Sequence, residues 1–188
     1  ARGGWHSTGG MPSLVVHSEP DLRDPVLVAA FRGWNDGGSA ASLAATFLRT
    51  SLDARRFAVI DPDEYVDFQQ TRPTVRLRDG ISRELVWPET EFFHAPLPGL
   101  ARDVVICLGV EPNLRWRAFS DEVVGLAQRL GVGFAITLGG LLADTPHTRP
   151  VPIAGSASDA ETVDRFDLRR SRYEGPTGIV GALLDAYV

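Results

Sequence analysis

Val26-Leu27-Val28-Ala29-Ala30-Phe31, then Arg32-Gly33-Trp34-Asn35-Asp36-Gly37-Gly38-Ser39, then the alanine-rich run to Thr50, is the stretch that decides the fold. Six continuous β-compatible residues predict a strand buried on both faces. The glycines predict a tight turn, and Ala40, Leu43, Ala44, Phe47 and Leu48 recur at helical spacing on one face. A buried strand feeding a helix through a glycine turn is the repeating unit of an α/β protein.

The same unit recurs outward along the chain. Phe57 to Ile60 reads as a second strand, and Pro62 to about Gln69 as a short helix. Val104 to Val110 is the most strand-like segment. An amphipathic helix marked by Trp116, Phe119, Val123, Leu126 and Leu130 follows it. Gly133 to Leu138 reads as another buried strand, Val151 to Gly155 as a further one, and Ile179 to Val188 as a helix. Arg83 to Trp87 and Phe92 to Ala95 read as a β pair outside the alternating scheme. The expectation is an α/β domain, a three-layer α/β/α sandwich with a mostly parallel central sheet.

Residues 1–10 carry four glycines and no apolar periodicity, and are read as a leader outside the fold. Residues 11–188 form the expected single domain. The last helix lacks a Gly, Asn or Pro stop, so truncation before a helical C-terminal extension is expected.

Composition excludes several chemistries. All 19 Lys+Arg positions are arginine, so a phosphate-loop lysine, a Schiff-base lysine and a lysine general base are ruled out for this chain. Arginine is the only fixed cation, and its planar fork suits carboxylates and phosphates. A net charge of −5 argues against nucleic acid as a general partner. The lone cysteine, Cys107, cannot form an internal disulfide. His6, His17, His94 and His147 lie on separate segments without paired spacing, so no metal is expected, nor a cofactor. No apolar run reaches the ~18 residues of a membrane helix, and no signal-peptide core is visible; a cytoplasmic setting, off the membrane, is expected.

In open α/β sheets, ligands gather at the carboxyl ends of strands, where four loops carry the polar residues. In the first, Arg32, Gly33, Asn35 and Asp36 can either present donors to an anion or form a tight turn with Asp36 or Ser39 capping the helix. In the second, Asp61 caps, Pro62 takes the first helical position and Glu64 completes a capping box; Asp63 and Asp67 stay unassigned. In the third, Glu111 follows the strand, and Arg115 or Arg117 can pair with it or bind a substrate. In the fourth, Asp144, His147 and Arg149 can form an acid–base group with an anion clamp, or His147 can simply bond a neighbouring loop. Asp144, His147 and Glu111 are the catalytic candidates. Arg32, Gly33, Asn35, Asp36, Arg115 and Arg149 are the ligand-binding candidates.

Five motifs taken together resemble the bacterial branch of the proteasome assembly chaperone 2-like family. They are Phe31-Arg32-Gly33-Trp34-Asn35-Asp36, Ile60-Asp61-Pro62-Asp63-Glu64-Tyr65, Gly109-Val110-Glu111-Pro112, Leu142 to Pro152, and Tyr173-Glu174-Gly175-Pro176-Thr177-Gly178-Ile179. The resemblance spans about Val26 to Leu184. It implies a nucleoside-phosphorylase-like α/β fold, self-association into trimers or other homo-oligomers, and a protein-binding or assembly role. A nucleoside- or phosphate-binding enzyme or sensor on the same fold is the alternative. A carboxylate–amine ligase is disfavoured by the missing lysines. Ala186-Tyr187-Val188 resembles the hydrophobic-Tyr-any tail that docks into proteasome pockets, with alanine a weak anchor.

Overall fold

The computed structural model describes residues 13–170 and 173–187. Residues 1–10, Met11 and Val188, on which the leader and the tail expectations fall, lie outside the described residues. The elements are β1 (Leu14–Val16), β2 (Val26–Arg32), α1 (Ala40–Ser51), β3 (Arg55–Ile60), β4 (Thr74–Arg78), β5 (Ser82–Val86) and β6 (Thr90–Ala95). After these come β7 (Val104–Val110), α2 (Trp116–Arg129), β8 (Phe134–Leu138), β9 (Ala154–Gly155), α3 (Ala160–Arg165), β10 (Arg169–Arg170) and α4 (Ile179–Tyr187).

Six strands form the central sheet in the order β1-β3-β6-β7-β2-β8. β2 pairs in parallel with β7 and with β8, while β1–β3, β3–β6 and β6–β7 are antiparallel. The mostly parallel sheet read from the sequence is therefore corrected: three of the five pairings are antiparallel. The alternating pattern itself is sound, because β2, β3, β7 and β8 run in one direction with α1 and α2 as connections. Two reversed strands, β1 and β6, are interleaved among them. A parallel pairing needs a long crossover, whereas an antiparallel neighbour needs only a short one.

β6 also corrects the expected side pair. Phe92 to Ala95 belongs to the central sheet, with Phe92 opposite Cys107 and Phe93 opposite Ile106. Ser82–Val86 pairs instead with Thr74–Arg78 in a separate hairpin, Leu85 opposite Val75. Three further expectations shrink. Pro62 to Gln69 is helical for only one 3-10 turn, Pro62–Glu64. Val151 to Gly155 is a strand only at Ala154–Gly155, and Val151 and Ile153 are exposed. β8 is a half-buried edge strand rather than a buried one.

Period-2 alternation divides the core between the two sheet faces. Leu27, Ala29 and Phe31 of β2, with Val105 and Cys107 of β7, meet Phe119, Val123 and Leu126 of α2 and Ile179 and Leu183 of α4. Phe31 and Phe119 meet edge to face at 5.8 Å. Ile179 and Leu183, one turn apart, are fully buried, each contributing roughly 1.5–3 kcal/mol, so α4 is part of the core. On the opposite face Ala30 and Ile106 pack against Ala41 and Ala45 of α1.

The buried side of α1 is therefore Ala41, Ser42 and Ala45, with Leu48 packed beside them. Of the stripe read from the sequence, Ala40, Leu43, Ala44, Phe47 and Leu48, only Leu48 packs inward, and the other four face outward. The cause lies in the preceding turn. Asp36 Oδ1 accepts the N–H groups of Ala41 (2.9 Å) and Ser42 (3.2 Å), and its Oδ2 accepts the Ser42 hydroxyl (2.6 Å). This cap holds the Ala41–Ser42 side against the sheet, and alanines let the helix approach closely.

A buried carboxylate ties the amino-terminal edge. Asp103 accepts the backbone N–H groups of Arg23 (2.8 Å) and Leu97 (2.7 Å) and the Arg23 guanidinium (2.9 Å). These donors hold its carboxyl well below the usual carboxylate range.

Candidate functional site

Because β2, β3, β7 and β8 run in one direction, the loops that follow them lie at the same end of the sheet. The turn after β2 and the turn after β7 are bonded together: the Glu111 N–H donates to Arg32 O at 2.8 Å. Gly33 has φ +150°, and a Cβ there would lie 2.7 Å from Glu111 Cβ. Glycine at 33 thus serves both the turn geometry and the close approach.

Glu111 itself is the junction of three segments. Its Oε2 accepts the Trp34 N–H (3.1 Å), and its Oε1 accepts the Ile179 N–H at the start of α4 (2.8 Å). A carboxylate at a helix start satisfies an orphan donor and opposes the macrodipole. The Arg115–Glu111 pairing weighed from the sequence is replaced: Arg115 pairs with Glu64 of the neighbouring loop. That pairing also takes Glu64 out of the capping box. Asp61 does cap, accepting the Asp63 N–H at 2.9 Å. Asp67 accepts the Gln69 N–H (2.9 Å), while its own N–H donates to Asn113 Oδ1 (2.9 Å).

Asn35 sits beneath this junction, 5% exposed, and neither Oδ1 nor Nδ2 has a hydrogen-bond partner among the described residues. A Cβ on Gly178 would lie 2.0 Å from Asn35 Oδ1 and 2.6 Å from Glu111 Oε1. Only a glycine lets the chain entering α4 pass here. Backbone bonds join the fourth loop to the first: Gly140 N–H to Asn35 O and Gly37 N–H to Gly140 O, both 2.8 Å.

The structure therefore brings together Arg32, Gly33, Asn35, Asp36 and Glu111, and joins to them the start of the fourth loop. Asp144, His147 and Arg149 stand on the exposed part of that loop, beyond Leu141 and Leu142. Arg32 is exposed at the end of β2, and Arg117 is exposed on α2. Asp36 and Glu111 have their carboxylate oxygens occupied by donors of the chain itself. Burial pushes the Cys107 thiol up, which removes it as a thiolate nucleophile.

Two groups escaped the sequence reading. Glu122 Oε1 accepts the Tyr65 hydroxyl at 2.9 Å and also bonds the Ser13 hydroxyl, linking α2 to the chain before β1. Burial first, then the Glu122 contact, pushes the Tyr65 phenol up, against an opposing hydrogen bond from Ser13. The role of Gly178 and the Ile179 N–H is the other: the sequence marks them only as part of the Tyr173 to Ile179 motif, with no sign of their contact with Asn35 and Glu111. Tyr187 packs against the main core, and burial pushes its phenol up. Among the described residues no group of three or more His, Cys, Asp or Glu can hold a metal ion, and no helix is long and apolar enough to cross a membrane.

The PAC2 family model matches residues 30–188. A PAC2 family protein from Streptomyces avermitilis is similar at 48% identity and TM-score 0.81, over 87% of this chain and 69% of that one. A proteasome-assembly chaperone homologue from Mycobacterium tuberculosis is similar at 50% identity and TM-score 0.79, over 86% of this chain and 68% of that one. An archaeal homologue of proteasome-assembly chaperone from Pyrococcus furiosus shares the fold alone, at 19% identity and TM-score 0.58, over 93% and 69%. No curated protein matches.

Proposed function

The chain belongs to the PAC2 family, and from that premise we propose that it is a protein-binding assembly factor working as a homo-oligomer, a trimer, without chemistry of its own. The observation that carries this reading is how the polar residues of the strand-end loops are used. Asp36 caps α1, Glu111 braces Trp34 and Ile179, and Arg115 pairs with Glu64. A general base must be within reach of a substrate proton, and these carboxylates are taken by backbone N–H groups, the Ser42 hydroxyl and the Arg115 guanidinium. Beside the exposed Arg32, Asp144, His147 and Arg149, the same end of the molecule presents large apolar side chains to solvent: Trp34, Leu141 and Leu142.

The likeness to the mycobacterial protein, described as a proteasome-assembly chaperone homologue, supports a protein as the partner, of the kind that assembles into larger complexes. A cytoplasmic setting and a three-layer, phosphorylase-like arrangement of the helices belong to the same proposal. The test is affinity capture from lysate with a photo-activated cross-linker, since amine-reactive reagents find no lysine side chain. A defined protein partner, recovered at fixed stoichiometry, is the expected result. Turnover of a small molecule by the purified protein, with no partner captured, would overturn the reading.

A further inference from the structure

β4 and β5 form a hairpin of their own, outside the central sheet. Asp79 (φ 50°) and Gly80 (φ 72°) close its turn, and Arg78 grips Glu84 across the strands through two hydrogen bonds, at 2.7 and 3.0 Å. Among the described residues neither strand has a second neighbour, so each leaves one row of backbone N–H and C=O groups outside any ladder. Two strands alone are marginal in water, and a third strand completes such a unit.

Side-chain alternation gives the ribbon two unlike faces. On one, Val75 lies opposite Leu85 and Leu77 opposite Arg83. Val75, Leu77 and Leu85 are 56%, 63% and 54% exposed, so this aliphatic face is uncovered. The other face carries Arg76 and the Arg78–Glu84 pair. From Arg72 to Trp87 the four arginines Arg72, Arg76, Arg78 and Arg83 stand against Asp79 and Glu84, a net charge of +2 in a chain of −5, which leaves −7 on the rest. Arg72, Arg76 and Arg83 are exposed and have no ion-pair or hydrogen-bond partner among the described residues.

We propose that this hairpin is a docking arm that adds an extended, acidic strand of a partner protein to its open edge; the inference rests on the protein-binding reading above and names the surface and the chemistry of the partner. Backbone pairing along the edge supplies affinity, and alternate side chains select. The aliphatic face takes apolar residues at every second position of the incoming strand. The intervening residues point to the Arg76 face, where carboxylates meet unpaired guanidinium groups. A body of net charge −7 repels such a strand, and the basic hairpin draws it in. The hairpin of a second copy is not the occupant, because edge-to-edge pairing would set arginine beside arginine. Nor is a nucleic acid: β4 and β5 carry no aromatic ring, and Trp87 at their base is engaged edge-on by Phe68, with centroids 4.9 Å apart.

The test is binding of fluorescein-labelled ten-residue peptides to the full chain, followed by fluorescence polarisation at low salt. The probes are a peptide alternating Val with Glu, one alternating Val with Lys, the Val–Glu peptide fully N-methylated, and a single-stranded DNA oligonucleotide. The Val–Glu peptide is expected to bind, and the Val–Lys and N-methylated peptides and the DNA at least tenfold more weakly. Leu77→Asp weakens the Val–Glu peptide at least tenfold, and Leu43→Asp on α1 leaves it unchanged. The double variant Arg76→Glu/Arg83→Glu turns the preference toward the Val–Lys peptide, a gain that a misfolded hairpin cannot produce. Equal affinity for the Val–Glu and Val–Lys peptides, an N-methylated peptide that binds like its parent, tighter binding of the DNA, or no peptide binding at millimolar concentration overturns the inference. Capture of the same partner from lysate by wild type and by Arg76→Glu/Arg83→Glu overturns it alone and leaves the protein-binding reading standing. A wild type that captures no partner and binds no peptide overturns both.

Discussion

Glu111 Oε1 accepts the N–H of Ile179 at 2.8 Å, joining the end of β7 to the start of α4 across 68 residues. The same side chain holds Trp34 through Oε2, so one carboxylate locks three segments. Glu111→Ala removes two charge-assisted bonds, one to the exposed Trp34 N–H, which water can satisfy, and one to the part-buried Ile179 N–H, a cost of about 1–3 kcal/mol. For a chain of this size that lowers the thermal midpoint by roughly 2–12 °C. Glu111→Gln keeps one acceptor but turns an NH2 toward an N–H donor, so its cost is smaller yet clear. A melt followed by circular dichroism checks both.

Gly178→Ala tests the same junction sterically. The added Cβ would fall 2.0 Å from Asn35 Oδ1 and 2.6 Å from Glu111 Oε1, inside any real contact distance. The first turn of α4 must lift or Asn35 must move, at an overpacking cost of about 1–3 kcal/mol. Hydrogen exchange at Ile179 to Ala182 is expected to accelerate more than exchange in α2. Unchanged protection in α4 would contradict the junction.

Asp103 sets an acid limb on stability. Its folded pKa is depressed by the Arg23 guanidinium and two backbone N–H groups, while the unfolded carboxyl has the ordinary value near ~3.9. A depressed carboxyl stabilises fully above the unfolded value and loses that contribution as pH falls toward the folded one. Denaturant midpoints measured from pH 6 down to pH 2 are expected to fall below about pH 4 in wild type. Asp103→Asn starts lower at pH 6 and shows a shallower fall.

The sequence carried the one-directional strands and their helices plainly, because buried strands and amphipathic helices have distinct periods. β6 was legible as a strand but not as a central one: where a strand inserts is decided by the lengths of its connections. The facing of α1 was misread for a physical reason. Alanine is apolar on any face, so the stripe of Ala40, Leu43, Ala44, Phe47 and Leu48 competes with one of Ala41, Ala45 and Leu48, and the Asp36 cap breaks the tie. In the loops, Asp36 as a cap was readable from its place before the helix. The partners of Glu111 and Arg115 were not, since Ile179 and Glu64 lie 68 and 51 residues away.

The loop carboxylates also bear on the enzymatic alternative. With Asp36 and Glu111 occupied internally and Asp144, His147 and Arg149 on an exposed loop segment, nucleosides with inorganic phosphate are expected to leave the melting temperature unchanged. Arg32→Ala is expected to have no effect on that result. A shift of several degrees at millimolar ligand, lost in Arg32→Ala, would favour a small-molecule site.

The most direct test of an assembly factor acting through protein surfaces is the solution mass of the wild-type protein by light scattering at micromolar concentration. The account predicts an integer multiple of the monomer mass, threefold for the proposed trimer, stable on dilution through the micromolar range. A single-chain mass throughout that range would contradict it.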